Sequence, residues 1–174
     1  MTEPEDFIIE FSDLVPEAEP LDVLDVASGS GRHALFFARK RHSVVTMERS
    51  EESRTSLRDA ARSENLSLQI IESDVENMSL LPDEFDIVVN TLFLYRPLFP
   101  QYEATLRPNG LLFFRTFTTD HLDVLGHDKP RRDFLLEPGE LRNAFPSLDV
   151  VHYEESVEGR RAVATLVARA PGLL

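Results

Sequence analysis

Three acids and one glycine turn are the residues of this sequence best placed to do chemistry. The segment Asp25-Val26-Ala27-Ser28-Gly29-Ser30-Gly31-Arg32-His33-Ala34 puts small residues between an apolar run and a helical stretch. Glycines at such a turn let the backbone come close to a ligand, and the first N–H groups of the following helix remain free to donate. Glu48 lies 23 residues after Asp25, at the end of the next apolar run, and Asp74 ends the one after that. A carboxylate at the second position can accept both hydroxyls of a ribose, and one at the third can meet the amino group of an adenine. Singly, each acid reads as a solvated residue or a helix cap. Together, at the tips of successive strands, they read as a nucleoside site on the edge where open α/β sheets bind ligands.

Hydrophobic periodicity supplies the elements that must hold those residues. Phe7 to Val15 has a helix-like spacing that ends before Pro16, and the stretch Pro16 to Pro20 reads as a connector. Seven strands are expected: Leu21–Ala27, Ser43–Met47, Leu66–Ile71, Phe85–Asn90, Leu111–Phe117, Leu148–Tyr153 and Arg161–Ala168. Helices are expected over Arg32–Arg41, over Glu51–Ser63 with Ser50 as its N-cap, and over Glu137–Phe145. The last two strands are separated only by Ser156-Val157-Glu158-Gly159, too short for a helical crossover, so they should pair antiparallel as a hairpin. Strand and helix otherwise alternate. The expected fold is α/β, a mostly parallel seven-stranded sheet with an antiparallel C-terminal hairpin strand and helices on both faces.

Bulk composition bounds the function. At 174 residues the chain fits one domain, residues 1–174, with a short N-terminal helix and connector over 1–20 and a core over 21–168. A net charge of −13 repels phosphate backbones, so nucleic acid is not an expected partner. No apolar run approaches the roughly 20 residues that span a bilayer, and the acidic start of the chain lacks the pattern of a signal peptide. With zero cysteines there are no disulfides, thiolate metal sites or cysteine nucleophiles. The expectation is a cytoplasmic protein, monomer or homodimer, that acts on a small molecule without a metal.

The run Leu24 to Ala34 followed by Glu48 resembles the first two motifs of class I S-adenosylmethionine-dependent methyltransferases, whose fold is Rossmann-like. The variant Gly31-Arg32-His33-Ala34 is similar to the small tellurite-resistance-type branch. So are Tyr95-Arg96-Pro97-Leu98-Phe99-Pro100, Leu106-Arg107-Pro108-Asn109-Gly110-Leu111 and Phe134-Leu135-Leu136-Glu137-Pro138-Gly139-Glu140-Leu141. The resemblance covers nearly everything from Leu21 to Ala168. It implies S-adenosylmethionine as cofactor, with S-adenosylhomocysteine as product. It implies that Asp25, Gly29 and Gly31 hold the methionyl part, Glu48 the ribose, and Asp74 with Val75 the adenine. Asn90 would border the sulfonium, while Ala27, Arg32 and Arg49 complete the cofactor set. Two departures stand out: Arg115 replaces a glutamate frequent in relatives before Thr-Phe-Thr, and only about twenty residues precede the first strand.

Methyl transfer from a sulfonium is an in-line displacement, and it needs a general base only when the nucleophile must lose a proton. No base is evident near Asn90, and the loop Asn90-Thr91-Leu92-Phe93 lacks the Asn/Asp-Pro-Pro-Tyr motif of amino-methylating enzymes. This favours an anionic or thiol-like small acceptor. Tyr95, Arg96 and Arg115 are the substrate-side candidates, with Arg131 and Arg132 expected at the same rim, because arginine suits carboxylate or oxyanion recognition. His33 reads as a packing or capping residue, and the Phe36-Phe37 and Phe113-Phe114 pairs as core. Asp120, His121, Asp123, His127 and Asp128 lie in an expected polar loop, Thr118 to Arg132, over the substrate; their irregular spacing does not make a metal site. Two rival functions stay open at this level. One is a nicotinamide-dependent oxidoreductase, since the turn also satisfies Gly-x-Gly-x-x-Ala. The other is a non-catalytic cofactor-binding subunit that supports a partner protein.

Overall fold

A computed structural model describes residues 3–15, 20–77, 79–126 and 130–173. Most of the expected Pro16–Pro20 connector, and His127 with Asp128, lie outside the described residues. Seven strands form one sheet: β1 (Asp22–Val26), β2 (Ser43–Glu48), β3 (Gln69–Glu72), β4 (Phe85–Thr91), β5 (Leu106–Phe117), β6 (Asp149–Glu158) and β7 (Arg161–Arg169). Their order is β3-β2-β1-β4-β5-β7-β6. The pairs β3/β2, β2/β1, β1/β4 and β4/β5 run parallel. Strand β7 runs antiparallel to β5, and β6 antiparallel to β7. The expected fold class is the observed one.

Parallel strands need both faces covered, and the sequence supplies the cover through residues that alternate sides. On β5, Phe113 packs with Phe7, Ile8, Ala34 and Phe37, whereas the adjacent Phe114 packs with Leu98, Phe99, Tyr102 and Phe145. The first face carries α1 (Asp6–Glu10) and α2 (Arg32–Arg39), with α3 (Glu51–Ser63) set through Leu57 and Ala61 against Leu35. The opposite face carries α4 (Phe99–Thr105) and α6 (Glu140–Asn143). One further helix, α5 (Asp120–Leu125), packs against β7. As expected, Ser50 caps α3: its Oγ accepts from the Ser53 N–H at 3.3 Å.

Four differences from the sequence pattern have physical causes. The expected polar loop Thr118 to Arg132 contains α5, whose start follows Thr119 and whose end is Gly126 at φ 70. Helix α4 has no counterpart among the expected helices; Pro100 sits in its first turn, where proline is well tolerated. The helix expected over Glu137–Phe145 is a single turn, since the chain enters it only after Gly139 at φ 76. Strand β6 runs on to Glu158 because β7 pairs with it as far as Glu158↔Arg161, leaving Gly159-Arg160 as the turn.

The turn after β1 is built around Gly31, which has φ +73 and whose absent Cβ would sit 2.4 Å from Leu57 Cδ1 of α3. A left-handed backbone and a tight helix contact are thus required at the same residue. Gly31→Ala is expected to destabilise the protein by about 3 kcal/mol through strain and overpacking. Urea unfolding of the two proteins measures this, and an unchanged midpoint would contradict it.

Candidate functional site

Because β1, β2 and β3 are parallel neighbours, their C-terminal tips line up, and the three acids come to one edge. Asp25, at the end of β1, is fully buried; its Oδ2 accepts from the Ala34 N–H at 3.1 Å, while Oδ1 has no partner among the described residues. Glu48 ties the site together. Its Oε2 accepts from the Gly29 N–H at 2.8 Å and its Oε1 from the Ser50 N–H at 2.7 Å. The turn bends tightly enough to put Ala27 at φ 50, a strained value for a residue with a Cβ. Gly29 has φ +55, and nothing lies within 4 Å of where its Cβ would stand, so the space beside it is open. Ser28 Oγ is a second buried polar atom without a partner among the described residues.

A cavity of about 570 Å³ runs along this edge, within the range of small-molecule sites. Its walls follow the strand order. Asp74, Val75 and Glu76 lie beyond β3, Glu48 and Arg49 at β2, and Ala27 at β1; Leu92, Phe93 and Leu94 follow β4, with Thr116 and Phe117 on β5. Pro130 and Phe134 close the far side. One end is therefore acidic and the other apolar. Leu92 has φ 55, unusual for a bulky residue, and is held there by its N–H bond to the Arg115 carbonyl at 2.7 Å.

Of the residues expected to hold a cofactor, Ala27, Glu48, Arg49, Asp74 and Val75 line this cavity. Asn90 does not: its Nδ2 donates to the Phe93 carbonyl at 2.9 Å and its Oδ1 accepts from the Tyr102 hydroxyl at 3.0 Å. It braces the loop that forms the apolar wall. Arg32 turns away as well, donating to Glu5 Oε1 at 2.5 Å.

The substrate-side candidates are likewise placed outside the cavity. Arg96 donates to both oxygens of Glu140 at 2.5 and 2.8 Å and to the carbonyls of Asp133 and Leu135 at 3.0 and 2.9 Å. Tyr95 is half-buried against the core beside it. Arg115 is buried on the α1–α2 face, where it donates to Glu5 Oε2 at 2.9 Å and also pairs with Glu158. Arg131 and Arg132 pair with Asp133 and Glu137. Among the described residues no group of histidines and carboxylates is arranged to hold a metal ion.

Two participants carry little or no signal in the sequence. Arg54 is buried, donates to the carbonyls of Glu48 and Arg49 at 3.1 and 2.6 Å, and pairs with Glu72 at 2.9 Å. It shares the buried face of α3 with Leu57 and Ala61, and an arginine in an apolar stripe is the one available signal. Glu5 collects Arg32, Arg115 and Arg161, and its position in a short acidic segment gives no signal. His33 is buried and held between the Glu5 N–H and the Thr91 hydroxyl. Burial first, then the charge of Arg32, lowers its pKa to about 3, so it is a neutral packing residue.

The sequence model of a family described as "Methyltransferase domain" matches residues 23–110. Among solved structures, TehB from Haemophilus influenzae superposes with a TM-score of 0.81 at 20% identity, covering 98% of this chain and 63% of TehB. This chain therefore spans less than two thirds of that protein's length. A structure from Methanosarcina mazei, described as a SAM-dependent methyltransferase, gives 0.78 at 17% identity and covers 99% and 100% of the two chains. The [4+2]-cyclase SpnF gives 0.72 at 16% identity, covering 99% and 84%. No curated relative matches the sequence closely enough to carry an argument.

Burial raises the Asp25 pKa to about 7, against the hydrogen bond from Ala34 and the charge of Arg32, with Glu48 adding to the rise. A raised carboxyl holds its proton in the folded state while the unfolded chain has lost it, so this group removes stability as pH climbs from about 4 to about 7. Asp25→Asn is expected to abolish that component: urea unfolding at pH 5 and pH 7 should show the variant gaining on the wild type at the higher pH. Glu5 behaves oppositely. Burial alone would raise it, but the Arg32 hydrogen bond and the charges of Arg32, Arg115 and Arg161 leave it lowered. Its contribution is present above the ordinary carboxylate range and disappears as pH falls through its lowered value. Glu5→Gln leaves buried Arg115 under-compensated and is expected to cost about 3 kcal/mol at pH 7, read in the same titration.

Proposed function

The chain belongs to the methyltransferase-domain family, whose cofactor is S-adenosylmethionine, and on that premise we propose that it transfers a methyl group to a small, anionic or thiol-like acceptor. The observation that carries this reading is the pair of strand-tip acids Glu48 and Asp74 on one cavity wall, with buried Asp25 at the adjacent tip of β1 and one of its carboxylate oxygens unpartnered among the described residues. That donor set fits the cofactor. Asp25, Gly29 and Gly31 would take its methionyl part, with Arg32 near the helix start. Glu48 would take the ribose, each of its oxygens having one lone pair left after the Gly29 and Ser50 bonds. Asp74, Val75, Arg49 and Ala27 would enclose the adenosine.

When bound, the cofactor supplies a methyl carbon on a positively charged sulfur. The chain's part is alignment and exclusion of water. Its acidic end fixes the nucleoside, which directs the reacting end toward β4, where Asn90 and Tyr102 hold the Phe93 loop in place. The titratable residues described on the cavity wall are Glu48, Arg49, Asp74 and Glu76, all at the nucleoside end. No side chain described at the other end accepts a proton from a weakly acidic alcohol or amide, so the acceptor arrives ionised or already nucleophilic, as a thiolate does. In this reading Arg96 acts through the backbone it holds on either side of Phe134, while Tyr95 packs against the core and Arg115 is engaged by Glu5 and Glu158. Residues 21–168 form the catalytic core of a cytoplasmic protein, monomer or homodimer, that acts on neither nucleic acid nor membrane. Among the described residues no helix is long and apolar enough to cross a membrane.

Isothermal titration with S-adenosylmethionine and S-adenosylhomocysteine tests the reading, with NADH and a Glu48→Ala variant alongside. Both adenosyl ligands are expected to bind with Kd on the order of micromolar. Glu48→Ala should weaken them about 30-fold, the value of a charged hydrogen bond or two. Binding of NADH alone, or of none of the three, would overturn it.

A further inference from the structure

The apolar end of the cavity has a composition that neither the family nor the acid tips explain. Across the sheet order, every described carboxylate on the wall lies at β3 or β2, and beyond β1 the only polar residue described there is Thr116. Three phenylalanines, Phe93, Phe117 and Phe134, face the space at that end. The arginines suited to a compact oxyanion are engaged elsewhere, Arg96 with Glu140 and Arg115 with Glu5 and Glu158.

Phe134 is the informative ring. It is 50% exposed, yet the backbone around it is fixed: Arg96 grips the carbonyls of Asp133 and Leu135 on either side, and Leu135 and Leu136 are buried anchors. The Arg131 guanidinium lies 5.6 Å from its centroid. A large aromatic side chain left in water at a cavity wall, on backbone held by a buried pair and an arginine clamp, is built to meet a ligand. Phe117 is similarly rigid, with His121 stacked on it at 4.2 Å and 19°. Rings prefer offset or edge contacts with other rings, and such contacts add to plain area burial.

Resting on the reading that the acidic end holds the cofactor, we propose that the β4–β5 end is an aryl-binding compartment, and that the acceptor carries its nucleophile on a planar apolar body seated against Phe134 and Phe117. The anionic character then belongs to the reacting atom alone, as in an aromatic thiolate, and the body is neutral. Arg96 is a positioning residue, acting through the backbone on either side of Phe134.

The experiment is a titration of 2-naphthol, a planar neutral probe, into protein saturated with S-adenosylhomocysteine, followed by calorimetry and probe fluorescence. Sodium selenite serves as the compact-oxyanion comparison. The wild type is expected to bind 2-naphthol and not selenite. Phe134→Ala should weaken the probe about tenfold and leave S-adenosylhomocysteine affinity within about twofold, with Phe134→Leu between the two. Competition between 2-naphthol and S-adenosylhomocysteine would show that the ring covers the cofactor, and it would overturn the proposal. So would selenite binding in preference to the probe, or equal probe affinity in the wild type and Phe134→Ala. If S-adenosylhomocysteine itself does not bind, the cofactor reading falls separately. The ligand-free protein then decides the compartment by whether Phe134→Ala loses the probe.

Discussion

The carboxylate of Glu48 is the contact on which the rest of the site depends. By accepting from Gly29 on one side and Ser50 on the other, it fixes the glycine turn of β1 to the start of α3 across two parallel strands. Charge-assisted bonds to backbone N–H groups are stronger and more directional than neutral ones. Buried Arg54 holds the same strand tip from below through the carbonyls of Glu48 and Arg49. A side chain that organises the empty turn in this way leaves its remaining lone pairs at a set position for a ligand. Pre-organisation of that kind lowers the entropic cost of binding.

The site concentrates features that are unfavourable for folding by themselves. Asp25 is a buried carboxyl with a single hydrogen bond to one oxygen, Ala27 and Leu92 have left-handed backbones, and Phe134 keeps an aromatic ring in solvent. They persist because the sheet around them is over-determined, with both faces covered by large aromatic and aliphatic residues. The cavity inherits its two chemistries from the strand order. Crossovers place β1, β2 and β3 on one side of β4 and β5, so acids from the β2 and β3 tips collect at one end of the cavity and apolar loops from β4 and β5 at the opposite end.

Charge on this chain is organised locally despite its net value of −13. The arginines are drawn into carboxylate partners: Arg32, Arg115 and Arg161 around Glu5, Arg96 on Glu140, Arg107 on Asp22 and Asp86. In an acidic protein an arginine finds a carboxylate partner readily, and those near the β4–β5 end of the cavity are engaged in this way. Arg96, Arg115, Arg131 and Arg132, the arginines expected at the substrate rim, are all paired with acids.

The number and order of the strands, the capped helix α3, the terminal hairpin and the placing of Asp25, Glu48 and Asp74 at neighbouring strand tips were determined by the sequence itself. Strand β5, by contrast, starts at Leu106, ahead of the expected turn, and β3 at Gln69. Apolar runs, turn glycines and a serine cap act over a few residues, and parallel order then carries the tips to one edge. Helix α4 and the full length of β6 were less legible, since Pro100 falls in the first turn of α4, where proline is tolerated, and pairing with β7 overrode the polar stretch Glu154–Glu158. Only the tertiary structure decided where the long side chains went. Arg115 finds Glu5 across 110 residues, and Arg96 finds Glu140 across 44. A flexible arginine takes whichever partner the packed fold brings within reach, and nothing in its local spacing encodes that choice. For the same reason Phe134, a core residue by type, stands at the cavity wall because its neighbours Leu135 and Leu136 fill the interior first.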